Sequence, residues 1–219
     1  MGLLINRILA FIAICFLSPL FVFTAIGIYL SDPGPIFYKA KRAGFLGRPF
    51  FVIKFRSMRV VKSGSRITST NDPRIFSFGK IIRLTKIDEL PQLFNILLGQ
   101  MAVVGPRPED LGIVDKHYTI LLKESLNVLP GLASPGSIYN YTHIEDKLVD
   151  NNTEDYYINN IMPIKVALDV VYARNRSFSY DLKIIFNTIK IIFLKILGTT
   201  TFPEPKELNK AKELIKGNP

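Results

Sequence analysis

Asp88 and Glu89 stand side by side, and a short way downstream Arg107 is clamped between Pro106 and Pro108. Acids at the start of a helix have a plain structural explanation. They complement the helix dipole and accept orphan N–H groups, for roughly 0.5–1 kcal/mol each. The pair alone therefore carries no functional claim. Its company does: Lys54, Arg56, Arg74, Arg83 and Arg107 surround it in the sequence, several in Pro- or Gly-fixed segments. Flanking prolines restrict the backbone of Arg107 and pre-organise its guanidinium fork for a phosphate. The competing reading of Arg107 is an ion pair with an acid such as Asp88. Two carboxylates among cations suit phosphoryl transfer. One carboxylate can attack phosphorus, its neighbour can help hold Mg²⁺, and the cations neutralise charge on the phosphoryl and leaving-group oxygens.

The elements that must position these groups follow from periodicity and punctuation. A helix is expected over Leu90–Leu98, stopped by Gly99; Pro91 fits only in its first turn, which puts Asp88 and Glu89 at the helix start. Arg74–Leu84 and Glu109–Asn127 also read as helices, with 103–108 a rigid connection between elements. Ile36–Ala40 and Pro49–Met58 read as strands of a hairpin turned at Gly44 and Gly47. Residues 60–73 read as a polar loop and 129–152 as irregular. Ile164–Arg174 and Tyr180–Leu197 are the last strong helices. The second is apolar on most sides, with Lys183, Lys190 and Lys195 near one flank, as in a core element or an interfacial helix whose lysines snorkel. The expected fold class is thus α/β: mostly helical, with a small β-hairpin.

In 219 residues there is room for about one domain. Lys and Arg number 28 against 18 Asp and Glu, for a net charge of +10, so an anionic partner is expected: nucleic acid, phosphorylated small molecules or an anionic membrane leaflet. With one cysteine, Cys15, no intramolecular disulfide can form, and with only two histidines a zinc site of the usual type is disfavoured. From Ile8 to Leu30 the chain carries no charged residue, long enough to cross a bilayer. Ser18-Pro19 breaks that run at its centre, and basic residues lie on both sides of it, Arg7 before and Lys39, Lys41 and Arg42 after. A helix that enters, turns at Ser18-Pro19 and returns to the same face satisfies both facts, with the Ser18 hydroxyl meeting a freed carbonyl. The expected organisation is a re-entrant membrane helix over 1–30, a cytoplasm-facing catalytic domain over 31–202 and a polar, basic tail over 203–219.

The chain also resembles a known family, the small monotopic phosphoglycosyl transferases, or bacterial initiating sugar transferases. The resemblance rests on the Ser18-Pro19 break, Arg42-Ala43-Gly44, Lys54–Met58, Asp72-Pro73-Arg74, Gly79-Lys80 with Arg83, Asp88–Asn95, Val104–Pro108, Pro130-Gly131, Asp169 with Tyr172, Asn175 and Ser177, and Asp181-Leu182, in that order. It implies transfer of a sugar 1-phosphate from a UDP-sugar to undecaprenyl (polyprenyl) phosphate with release of UMP, through a covalent phosphosugar ester on Asp88. It further implies Glu89 as the Mg²⁺ ligand, Lys54 and Arg107 as the cations at the phosphates, interfacial helices beside the re-entrant one, and the cytoplasmic face of the bacterial inner membrane. The chain departs from the family pattern at Ala40, at Gln100-Met101-Ala102 and, most extensively, over Leu132–Ser137. The donor sugar, the glycan pathway and any homodimer are left open.

A non-enzymatic alternative, a basic membrane-anchored scaffold that binds anionic lipid or a partner protein, explains the charge and the apolar run but not the acid pair with its proline-clamped Arg107. A nucleic-acid binder lacks a recognition motif.

Overall fold

The computed structural model describes residues 1–59, 72–144 and 153–217. Its first element, α1 (Leu3–Ser31), is the one described helix long and apolar enough to cross a membrane. Helical backbone continues through Pro19. That proline deprives the Cys15 carbonyl of its usual donor, and the Ser18 hydroxyl supplies one at 2.9 Å. One stripe of α1 faces protein along the whole helix. Asn6, Ala10, Thr24 and Ile28 are buried, and Ala13, Ile14, Leu17 and Phe21 pack against the core between them. The opposite stripe, with Leu4, Phe11, Phe16, Phe23 and Leu30, is exposed.

After α1 come β1 (Phe37–Ala43) and β2 (Pro49–Phe55), an antiparallel hairpin with Tyr38 opposite Lys54. It turns through a 3₁₀ segment in which Gly47 takes φ +75°. Next are α2 (Ser77–Leu84), a 3₁₀ turn at Ile87–Glu89 and α3 (Gln92–Leu97). Then β3 (Ala102–Val104) pairs in parallel with β4 (Gly131–Ala133), with α4 (Leu111–His117) and α5 (Ile120–Lys123) between them. The described elements that follow are helices: α6 (Pro135–Tyr139), α7 (Thr153–Tyr156), α8 (Met162–Arg174), α9 (Phe178–Ile196) and α10 (Leu208–Lys216). Among the described residues the protein is mostly helical, with two small sheets, in keeping with the expected α/β class.

The structure corrects several sequence-based boundaries. The expected helix over Glu109–Asn127 is two helices and a 3₁₀ turn, because Asp110 and Thr119 each cap a new helix. The expected helix from Arg74 starts only at Ser77, since Ile75 bridges to Met58. Part of 129–152, expected to be irregular, forms β4, α6 and a π-helical turn at Asn140–Ile144. The polar loop expected over 60–73 lies outside the described residues up to 71, as do 145–152. In the segment read as a tail, α10 buries Leu208 and Ala211 against α8.

Two anchors fix the parts that matter for chemistry. The Asn95 carboxamide accepts the Ile53 N–H (3.0 Å) and donates to the Phe51 carbonyl (2.7 Å) and to Gln100 Oε1 (2.8 Å), which ties α3 to β2. At the β3–β4 crossing, a Cβ on Gly131 would lie 2.0 Å from the Gly105 nitrogen, and one on Gly105 would lie 2.3 Å from the Leu129 carbonyl. Only glycine permits that approach. Replacing Asn95 with Ala leaves a buried strand N–H and a carbonyl unpaired. It is expected to lower unfolding stability by about 1–3 kcal/mol in detergent-solubilised protein. A loss below about 0.5 kcal/mol, the range of inert surface changes, would show that the α3–β2 tie is dispensable.

Candidate active site

The Ile87–Glu89 turn follows Lys86, which adopts the left-handed conformation (φ +57°). That reversal between α2 and α3 presents both acids to one cavity of about 520 Å³. They precede α3 in a separate turn rather than opening it; Pro91 caps α3. Lys54 reaches the cavity from β2, Arg83 from α2, and Arg107 from the loop after β3.

Glu89 is the junction of these elements. Arg107 grips it with both terminal nitrogens, Nη1 to Oε2 at 3.0 Å and Nη2 to Oε1, while Lys54 Nζ reaches Oε1 at 3.2 Å. The ion pair weighed for Arg107 is therefore made, but with Glu89 rather than Asp88. Burial alone would raise the Glu89 pKa; Arg107 and Lys54 outweigh it and hold the carboxyl well below its ordinary range. Asp88 behaves oppositely. Burial and the adjacent Glu89 raise its pKa, against Lys54, Lys86 and Arg83. Its Oδ1 is buried without a hydrogen-bond partner. Burial lowers the Lys54 ammonium pKa, against the pull of Glu89.

Two other expected cations are elsewhere. Arg56 passes under the end of α1, where Nη1 donates to Asp32 Oδ2 at 2.6 Å and Nη2 to the Asp32 carbonyl. It is there because β2 ends at Phe55, so the alternation that would set Arg56 beside Lys54 stops. Arg74 closes on Asp72, with Nη2 to Oδ2 at 2.5 Å. Neither lines the cavity.

The sequence reading missed a second ionic group in the same cavity. Lys165 Nζ donates to Glu109 Oε2 (2.8 Å) and lies 2.5 Å from the Tyr157 hydroxyl, which itself donates to Glu109. These partners pull the Glu109 pKa down to about 2 despite burial. Arg42 pairs with Asp110 at 3.0 Å nearby. One signal was available: Lys165 and Asp169 lie four residues apart in an otherwise apolar helix. Asp169 accepts backbone N–H groups instead of forming a salt bridge. Its Oδ2 accepts the Arg107 backbone N–H (3.2 Å) and its Oδ1 the Gly136 N–H (2.8 Å), holding the arginine loop against α6.

A divalent cation fits the acid pair by donor chemistry. Asp88 offers an unpartnered buried oxygen beside the ionised Glu89. Among the described residues no cluster of three or more metal-binding side chains exists, so such an ion would need further oxygens from a phosphate, as Mg²⁺ commonly does.

The chain is similar in sequence to known proteins over most of its length. A family model described as bacterial sugar transferase matches residues 2–195. A UDP-glucose:undecaprenyl-phosphate glucose-1-phosphate transferase of Xanthomonas campestris pv. campestris is 35% identical over 202 residues, covering 90% of this chain and 38% of the relative. A UDP-N-acetylgalactosamine-undecaprenyl-phosphate N-acetylgalactosaminephosphotransferase of Aeromonas hydrophila is 34% identical over 189 residues, covering 84% and 41%. The exopolysaccharide production protein PSS of Rhizobium leguminosarum bv. phaseoli is 35% identical over 185 residues, covering 81% and 87%. The chain thus spans about two fifths of the length of the first two relatives.

Burial pushes the Asp169 carboxyl up to about 6, against hydrogen bonds from Gly136, Ser134 and Arg107. The folded protein takes up this proton near pH 6, the unfolded chain only near 3.8. Ionised Asp169 therefore weakens the native state above pH 6, and that cost, on the order of 3 kcal/mol, is relieved as pH falls from 7 towards 4. Thermal unfolding of wild type and Asp169→Asn at pH 7 and pH 5 should show the wild type gaining on the variant at the lower pH. A constant difference would mean that Asp169 does not titrate in this window.

Proposed function

The chain belongs to the bacterial sugar transferase family, and from that premise we propose that it moves a sugar 1-phosphate from a UDP-sugar to undecaprenyl phosphate, releasing UMP. The observation that carries this reading is the cavity in which the unpartnered Asp88 oxygen lies beside a Glu89 that already holds Arg107 and Lys54. The names of relatives such as the X. campestris transferase support the substrate pair. The relatives named here differ between glucose and N-acetylgalactosamine, so the donor sugar is left unassigned.

In this reading an Asp88 oxygen attacks the phosphorus that bears the sugar. The bond from that phosphorus to the bridging oxygen breaks, and UMP leaves with the oxygen and its electron pair. The phosphate oxygen of the lipid then attacks the same phosphorus, and Asp88 departs as a carboxylate. Asp88 must be ionised to begin. Lys54 favours the ionised form of Asp88, and Lys54 and Arg107 together would neutralise charge on the phosphoryl oxygens. Mg²⁺, held by Glu89 with the free Asp88 oxygen beside it, would supply further neutralisation of phosphate charge when bound.

The packing of α1 supports a reading of the membrane arrangement. If α1 crossed the bilayer straight, with the domain on one side, only one end could pack on that domain. Here Asn6 accepts the Val103 N–H at 2.8 Å near the start of α1, and Asp32 binds Arg56 just past its end. Both ends serve one body, and the exposed stripe between them is apolar. This supports a re-entrant or shallowly embedded helix with both ends at the cytoplasmic face, where basic residues are favoured.

Two experiments test these proposals. With a panel of UDP-sugars, Mg²⁺ and undecaprenyl phosphate, Asp88→Asn should lose UMP release by about a thousandfold or more, whereas Asp115→Asn, on the exposed side of α4, should keep it. The acid limb of the wild-type rate should lie above the ordinary aspartate range, because the Asp88 pKa is raised. Equal turnover in both variants removes Asp88 as nucleophile. For topology, single cysteines at Gly2 and Lys39 in a Cys15→Ser background should react from the same side of sealed vesicles with an impermeant thiol reagent; labelling from opposite sides sinks the re-entrant reading.

A further inference from the structure

One wall of the cavity is hydrocarbon. Ile185, Thr188, Ile189 and Ile192 of α9 are among the residues that line the cavity together with the ionic groups. They recur every three or four residues, so they form one stripe about 10 Å long. Thr188 is the polar member, and its hydroxyl donates to the Ile184 carbonyl at 2.8 Å, which spends its proton within the helix. This wall offers little to a uracil or a sugar, whose edges require donors and acceptors.

The stripe does not stop at the cavity. Ile189 lines it and is also 61% exposed, and it borders Phe186 (69% exposed) and Phe193 (60% exposed) on the outer side of α9. Lys183, Asn187 and Lys190 occupy the remaining exposed flank. Lys195, expected on the same flank as the other lysines, instead turns inward, donating to the Tyr141 carbonyl at 2.6 Å. An unbroken apolar track therefore runs from the outside of the protein to the cavity that contains Asp88, Arg83 and Arg107.

We propose that this α9 track seats the first isoprene units of the lipid acceptor, so that its phosphate is delivered to Asp88 while its chain leaves along Ile192 and Ile189, with Phe186 and Phe193 resting against the surrounding bilayer rather than the chain. The proposal rests on the transferase reading above. The occupant is set by charge and continuity together. A molecule with an anionic head and a long hydrocarbon tail satisfies both ends of the track, whereas a nucleotide sugar has no use for its outer half. Burying each CH₂ against Ile189 and Ile192 rather than in water supplies a chain-specific part of acceptor binding.

The test uses the full chain in detergent micelles and separates the half-reactions. Wild type, Ile189→Ser/Ile192→Ser and Phe186→Ser are each incubated with Mg²⁺ and the UDP-sugar panel without acceptor, and the phosphosugar adduct is measured on the intact protein by mass spectrometry. Transfer is then followed to undecaprenyl phosphate and to short-chain geranyl phosphate. The double variant should form the adduct as wild type does. Its KM for undecaprenyl phosphate should rise about tenfold, equivalent to about 1.4 kcal/mol, and its preference for the long chain over the short one should shrink. Phe186→Ser, outside the cavity, should weaken binding to phosphatidylglycerol vesicles yet keep the chain-length preference. If the double variant does not fold, Ile192→Thr should show the same shift, smaller. An unchanged preference in a variant that forms adduct overturns the track, as does an equal loss of preference in Phe186→Ser. Absence of both adduct and UMP release in the wild type across the whole UDP-sugar panel would instead refute the transferase reading itself.

Discussion

The structure around the cavity depends on one buried carboxylate. Glu89 cannot stay ionised away from water unless it is paired and hydrogen-bonded. Its partners come from parts of the chain that are otherwise unrelated: Lys54 from the hairpin and Arg107 from the loop after β3. Each partner is held by its own device. Asn95 ties β2 to α3, which sets the height of Lys54 over the acid turn. Asp169 accepts the Arg107 backbone N–H, and Gly105 and Gly131 let the β3 and β4 backbones meet where the arginine loop begins. Removing either cation leaves an imperfectly compensated buried charge, so the same contacts that shape the site also carry stability.

Because Glu89 takes both cations, its neighbour is left in a different electrostatic state. Glu89 is driven towards permanent ionisation, and Asp88 is driven towards the proton by burial and by that fixed charge. Two adjacent acids with opposed pKa shifts can divide the labour of a reaction. The ionised one organises cations, and the other keeps an oxygen unengaged. An unpartnered buried oxygen is costly in a resting protein, and it is the kind of cost expected where a group awaits a ligand.

Much of this was legible in the sequence, and the rest failed for definable reasons. The hairpin, a short helix after the acid pair and an apolar first segment followed from period and punctuation, although the acids stand in their own turn ahead of α3 and α1 stays helical through Pro19, where a turn was expected. The pair β3–β4 did not, since three-residue strands carry too little alternation to register and Gly131 contributes none. The helix expected over 109–127 failed because Ile113, Val114, Tyr118, Leu121 and Leu122 are all buried at helix-like spacing across a genuine break. Apolar period records which residues face the core, whereas the caps at Asp110 and Thr119 record where helices start. Lys54, Arg83 and Arg107 converge with the acid pair as expected. Arg56 and Arg74 do not, because each has an aspartate close by, Asp32 and Asp72, that satisfies it first. Charge counting identifies candidates; local pairing decides which of them reach the site.

The apolar surfaces of α1 and α9 give the ionic site its setting. Each helix buries one stripe on the domain and exposes another rich in Phe, Leu and Ile. A soluble domain rarely leaves so much contiguous hydrocarbon in water. On the reading proposed, that surface rests in the headgroup region, and the geometry resolves a conflict between the two substrates. A nucleotide sugar cannot enter lipid, because its diphosphate would be stripped of water. A polyprenyl chain cannot leave lipid without exposing CH₂ groups at about 0.8 kcal/mol each. Neither needs to move if the carboxylates stand at the boundary, with cations on the aqueous side and isoleucines on the other. Asp88, Lys54, Arg107 and the α9 stripe all line one cavity, which is what that requirement asks for.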